Sequence, residues 1–203
     1  MCKQAISKIR KRYPNLSAEN SSGDDFENAA NILLSEMRID GKLEYPLHVV
    51  DLLQKIGFDL FRADFKNPKQ SGLLVVDSSL PEKKPIFKRD RAVFVNRNDS
   101  VAHQRFTIAH EIAHYIFDFD EAKDPTYQKA YITTETDDFA ESRASRFAAE
   151  LLMPRKDFEE RFEQMKREQQ DSFSLSNTIT NLCNYFGVPA TAVELRLKEI
   201  EEH

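Results

Sequence analysis

Arg105-Phe106-Thr107-Ile108-Ala109-His110-Glu111-Ile112-Ala113-His114 decides how this chain is read, because it holds one intact HExxH. In an α-helix of about 3.6 residues per turn, positions four apart lie one above the other, so His110 and His114 leave from one face and reach a common point. Glu111, about 100° round the helix, flanks that face. Hydrolytic zinc chemistry asks for this set: two neutral imidazoles to hold Zn²⁺ and a carboxylate beside them to take a proton from water. On the other side Ile108, Ile112 and Ile116 form a stripe at helical spacing, the mark of a buried face. The chain has five histidines, and two at this spacing on an amphipathic helix argue against a packing or solvated role.

Working outward, Asn98-Asp99-Ser100 offers N-caps for a helix from about Val101 to Phe117. His103 shares the face of His110 but lies roughly two turns, or about 10 Å, away, too far for the same ion. Before this helix the period changes: Phe58–Ala63, Gly72–Asp77 and Arg91–Asn96 are short β-rich runs separated by turn-forming residues. They predict a small, mostly antiparallel three-stranded sheet. Lys83, Lys84, Lys88 and Arg89 read as a solvated loop. Further upstream, helices are expected over Phe26–Met37 and about Leu47–Ile56, ended by Gly41 and Gly57. Residues 1–25 are polar, with a basic cluster at Lys8, Arg10, Lys11 and Arg12. They read as a loosely packed arm with at most a short helix over Ala5–Arg12.

A catalytic zinc site takes three protein ligands and leaves a fourth position for water. Asp120 stands where the third ligand of an HExxHxxGxxH/D arrangement would fall, but Phe117 occupies the glycine position that turns the chain back. A second helix, Asp137–Met153, is capped near Thr136-Asp137 and closed by Pro154. Its buried stripe is Ala140, Ala144, Phe147, Ala148, Leu151 and Leu152. Glu141 shares the sector of Ala144, Ser145 and Ala148, which makes it the better ligand candidate. Glu150, half a turn away with Arg143 and Arg146, reads as a surface ion-pair residue with Arg146.

Composition sets bounds on function. The net charge of −5 disfavours non-specific binding to nucleic acid or anionic lipid. No apolar run approaches a membrane span, and the start lacks a secretory signal, so a cytoplasmic protein is expected. Cys2 and Cys183 are far apart and form no CxxC, which suggests neither a disulfide framework nor a cysteine metal site.

The HExxH stretch and Glu141-Ser142-Arg143-Ala144-Ser145-Arg146-Phe147-Ala148-Ala149-Glu150-Leu151-Leu152-Met153-Pro154 together resemble the ImmA/IrrE family of bacterial and phage-encoded metallopeptidases. The family's second motif reads approximately ExEAxxFAxxLLMP. Glu141 aligns with its first, metal-binding glutamate, while Arg143 replaces the second, at a position expected to point outward and matter little. The resemblance spans about Phe26 to Pro154. It implies an α+β fold, a compact zincin of the glutamate-ligand class, over residues 26–155. It also implies cleavage of a helix-turn-helix transcriptional repressor, in control of a mobile element, prophage or stress response.

Residues 156–203 read as a helical tail: a charged helix, then Leu175–Phe186, the turn Gly187-Val188-Pro189, and Ala190–Ile200, similar in outline to a helix-turn-helix. Ile179, Leu182, Val193 and Leu197 are its expected core. Acidic residues outnumber Arg196 and Lys198 there, so packing or substrate docking is favoured over DNA contact. The expected chemistry is peptide hydrolysis with Zn²⁺, or another divalent ion such as Mn²⁺, on His110, His114 and Glu141, and Glu111 as general base. The exposed sheet edge, Gly72–Asp77 or Arg91–Asn96, is expected to hold substrate as an added strand. Tyr115, Tyr127, Tyr131, His103 and Arg143 stay open as candidates to steady the oxyanion. The alternative is a non-catalytic regulator that uses this fold only to bind a repressor or a toxin–antitoxin partner.

Overall fold

The computed structural model describes residues 2–17, 19, 21–120, 126–132, 139–169 and 174–201. In chain order the elements are α1 (Cys2–Arg12), α2 (Gly23–Leu34), α3 (Val49–Ile56), β1 (Asp59–Ala63), β2 (Gln70–Asp77), α4 (Leu80–Lys83) and β3 (Arg91–Asn96). They continue with α5 (Val101–Phe117), β4 (Thr126–Ile132), α6 (Phe139–Leu152), α7 (Arg155–Gln169), α8 (Leu175–Phe186) and α9 (Ala190–Glu201). The fold is mixed α+β. No described helix is long and apolar enough to cross a membrane.

α5 runs through the middle. Ser100 caps it by accepting a hydrogen bond from the His103 backbone N–H, and Ile108, Ile112 and Ile116 are buried at its core-facing side. Each such side chain contributes roughly 1.5–3 kcal/mol by leaving water. Against α5 lies one sheet in the order β1-β3-β2-β4. β2 pairs antiparallel with both β3 and β4, but β1 pairs parallel with β3. The sheet therefore has four strands rather than the expected three, and one parallel pairing. The extra strand is β4, Thr126–Ile132. β4 covers β2 and β1 covers β3, so among the described residues the edges are β1 and β4 rather than Gly72–Asp77 or Arg91–Asn96.

The N-terminal stretch, expected as a loose arm, packs instead. α1 buries Cys2, Ala5, Ile6 and Ile9, a stripe at i, i+3, i+4 and i+7. Arg10 leaves the basic cluster to donate to the carbonyls of Tyr115 at 2.5 Å and Ile116 at 2.8 Å, near the C-terminal end of α5. A cation placed there also opposes the helix dipole. α2 starts earlier than expected because Ser22 and Asp25 form a reciprocal capping box.

α8 and α9 form the expected helix, turn, helix, with Gly187 left-handed at the turn. They are tied to the core by two arginines. Arg105 of α5 donates to the carbonyls of Gly187 and Leu47, and Arg196 of α9 meets Glu150 of α6 at 2.5 Å. Glu150 is thus not a surface partner of Arg146: it is 4% exposed, while Arg146 lies over the Phe26 ring. α9 covers the flank of α6 that points away from α5. Burial pushes the Glu150 carboxyl up, against the pull of Arg196. Arg196→Ala is expected to cost about 3–5 kcal/mol, because it strands a buried carboxylate. Urea midpoints check this, and Glu150→Gln in the same background should recover part of the loss.

Candidate metal centre

Three buried side chains from two helices converge. His110 Nε2 lies 2.9 Å from Glu141 Oε2 and 2.9 Å from His114 Nε2, and His114 Nε2 lies 3.3 Å from Glu141 Oε1. The imidazoles are fully buried and Glu141 is 5% exposed. The i, i+4 spacing places the first two; the small residues Ala144 and Ala148 let α6 come close enough to add the third. The expected start of α6 near Thr136-Asp137 lies outside the described residues.

The outer nitrogens are held as well. His114 Nδ1 lies 2.5 Å from Asp118 Oδ2, and His110 Nδ1 lies 3.3 Å from Ser145 Oγ. Donation from each Nδ1–H to these oxygens would fix the tautomer that leaves both Nε2 atoms available to a cation. Three lone-pair donors aimed at one centre suit a divalent cation, and two imidazoles with a carboxylate are a fitting set for zinc. The surrounding carboxylates favour positive charge at this point. Burial works to lower the His114 pKa, but hydrogen bonds to Asp118 and Glu141, with Glu111 nearby, hold it up to about 9. Burial works to raise that of Glu141, but the two imidazoles hold it well below the usual carboxylate range.

Asp118 is the functional residue that sequence reasoning missed, although it stands four residues after His114 on the same helical face. It also corrects the reading of Arg143, which does not point idly outward. Arg143 pairs with Asp118 and lies over Phe117, so it braces the group that orients His114. Asp118→Asn is expected to weaken zinc binding about 10–100-fold with the fold intact, measured by competition against a chromogenic chelator.

Glu111 is fully buried beside this group. β2 passes directly over it at Gly72, where a Cβ would fall 2.5 Å from Glu111 Oε1 and 2.6 Å from Thr107 Cγ2. Only glycine permits that approach, a signal available in the sequence as a glycine inside a strand. Gly72→Ala is expected to displace the carboxylate by a fraction of an ångström or more. A loss of peptide hydrolysis of about 100-fold with zinc content unchanged, compared in the same preparations, is the expected result.

The other candidates are dispersed. Asp120 is exposed beyond α5 and outside the converging group. His103 meets Ser71 at 2.9 Å and Asp99 at 3.6 Å. Tyr115 faces the core, where its hydroxyl accepts from Arg91 and its ring packs on Phe58 and Phe119. Tyr127 on β4 shares the field of the site: burial, then Asp118, Glu111 and Glu141, push its phenol well above the usual range. The Tyr131 side chain lies outside the described residues.

The IrrE N-terminal-like domain family, peptidase M78, matches residues 53–198, from α3 through α9. Comparison with curated proteins returned no match. With that match running through the HExxH helix, the glutamate helix and the helical tail, the chain belongs to the ImmA/IrrE family.

Proposed function

We propose that this chain is a cytoplasmic zinc-dependent endopeptidase acting on a helix-turn-helix transcriptional repressor. The observation that carries the reading is a buried carboxylate, Glu111, beside three buried groups whose lone pairs meet at one point. Zinc, or manganese in its place, held by His110, His114 and Glu141 supplies a Lewis acid that polarises a carbonyl and makes water easier to deprotonate. Glu111 then takes a proton from the attacking water at its carboxylate and passes it to the departing amine nitrogen. Asp118 and Ser145 keep the imidazoles in the tautomer that leaves Nε2 free to bind. Tyr127 of β4, in the field of Asp118, Glu111 and Glu141, is the candidate hydrogen-bond donor for the carbonyl oxygen as charge develops there.

β4, one of the two edge strands, offers backbone groups to an extended substrate segment. Such pairing selects little by sequence, so the choice of one repressor rests on contacts outside the cleft. A protein partner rather than DNA is favoured by the net charge of −5 and by the use of Arg105 and Arg196 in internal bonds. The test is to incubate the zinc-loaded protein with repressors encoded beside its gene and follow the products by mass spectrometry. Discrete fragments from wild type, absent with Glu111→Gln or a chelator, support the reading; an intact repressor in the presence of stoichiometric zinc removes it.

A further inference from the structure

Ser71 does not follow the alternation of its strand. Leu74 and Val76 of β2 belong to the core, and Gly72 lies against Glu111, so a regular strand would turn Ser71 to the opposite side of the sheet with Leu73. Instead Ser71 is 4% exposed, and its hydroxyl lies 2.9 Å from Nε2 of His103, in the first turn of α5. The register accounts for this. Gln70 stands opposite Ile132 and Gly72 opposite Tyr131, so two steps along β2 match one along β4, and Ser71 is the extra residue of a bulge.

The bulge sits where the strand meets the helix that carries the proposed base. His103, Thr107 and Glu111 are spaced four apart on α5, one above the other, and this row faces β2. Ser71 meets the first of them. Gly72 rests on the other two, where an added Cβ would fall 2.6 Å from Thr107 Cγ2 and 2.5 Å from Glu111 Oε1. His103 is itself held: its backbone N–H donates to the Ser100 cap, and the Asp99 carboxylate lies 3.6 Å from the same Nε2. A carboxylate there favours the tautomer with its proton on that nitrogen, facing Ser71. A bulge interrupts the ladder that would otherwise fix the height of the strand over the helix, so the side-chain contact at Ser71 takes over that task.

We propose that His103 is a positioning residue for the reaction assigned above. By fixing the bulge at Ser71 it sets how closely the Gly72 backbone bears on Glu111, and so where the proton-accepting carboxylate stands relative to the metal. The inference rests on the peptidase reading of the centre. His103, about two turns along α5 from His110, acts through Ser71 and Gly72 and not on the reactants.

Acetohydroxamic acid tests this without a natural substrate. Bound to a divalent ion through both oxygens, it gives its proton to a carboxylate beside the ion, so its affinity reports where that carboxylate stands. It is titrated calorimetrically into the zinc-loaded full chain and its variants, with zinc content measured in each. Glu111→Gln is expected to weaken binding about 10-fold or more, the worth of a charge-assisted hydrogen bond. His103→Ala and Ser71→Ala are each expected to weaken it about 3- to 10-fold with zinc unchanged, and together by no more than either alone. His103→Gln, which keeps an N–H for Ser71, retains most of the affinity. The deciding measurement is the double-mutant cycle: in the Glu111→Gln background, His103→Ala should cost nothing further. Wild-type affinity in both alanine variants, an equal loss in both backgrounds, or loss of zinc from His103→Ala overturns the positioning role and leaves the centre standing. Affinity that ignores Glu111→Gln, or no binding to wild type carrying stoichiometric zinc, overturns the peptidase reading and the proposal with it.

Discussion

Glu111→Gln is expected to lower peptide hydrolysis by about 100- to 10,000-fold while zinc stays bound. The amide keeps the size of the carboxylate and fits the same space under Gly72 and beside Thr107, so the fold has no reason to change. What it loses is basicity: an amide cannot accept a proton from water at neutral pH. Because Glu111 is outside the converging trio, metal content measured by inductively coupled plasma mass spectrometry should match wild type. Turnover that survives the substitution would mean that another group takes the proton. If the proposed repressor is the substrate, the same variant, able to bind but not cut, should retain it in pull-down experiments, which separates recognition from chemistry.

Glu141→Ala carries the second large effect, and its readout is the metal itself. The substitution removes one of three converging donors and leaves two neutral imidazoles to hold the ion alone. Loss of an orienting partner alone typically costs about 10–100-fold in metal affinity, and loss of a direct ligand should exceed that. Zinc after dialysis is expected to fall from near one equivalent to near none. Thermal unfolding gives an independent measure. At zinc a thousandfold above its dissociation constant, binding stabilises the folded chain by about 4 kcal/mol. Wild type should therefore show a zinc-dependent rise in Tm that Glu141→Ala lacks. Undiminished zinc in that variant would assign the third position to a different side chain.

Much of this arrangement is legible in the sequence, because helical periodicity is a local property. Ser100, the Ile108–Ile112–Ile116 stripe and Phe117 mark α5 from end to end, and the inward sector of α6 singles out Glu141 beside Ala144 and Ala148. The misses share a cause. A helical wheel divides a helix into a face toward one neighbour and a face away from it, and Glu150 lies on the far face of α6 only until α9 covers it. Arg143 acquires its meaning from Asp118, which arrives from another helix. The parallel pairing of β1 with β3 depends on which strands meet, and nothing within either strand states it.

Two of the misses were readable after all. Cys2, Ala5, Ile6 and Ile9 have helical spacing, but the basic residues between them invite a solvated reading. Thr126–Ile132 alternates Tyr127 and Tyr131 with intervening residues behind Asp124-Pro125, a strand signal too short to stand out between two long helices.

At Gly72 the partition between the proposed base and the far side of the sheet is one main chain thick, with no side chain as padding. The carboxylate is therefore sealed from that direction by the β2 backbone. β2 is also bonded along its length to that outermost strand, so whatever docks there tugs on the backbone resting against Glu111. Occupancy of the rim and the pose of the base are, by this construction, mechanically joined.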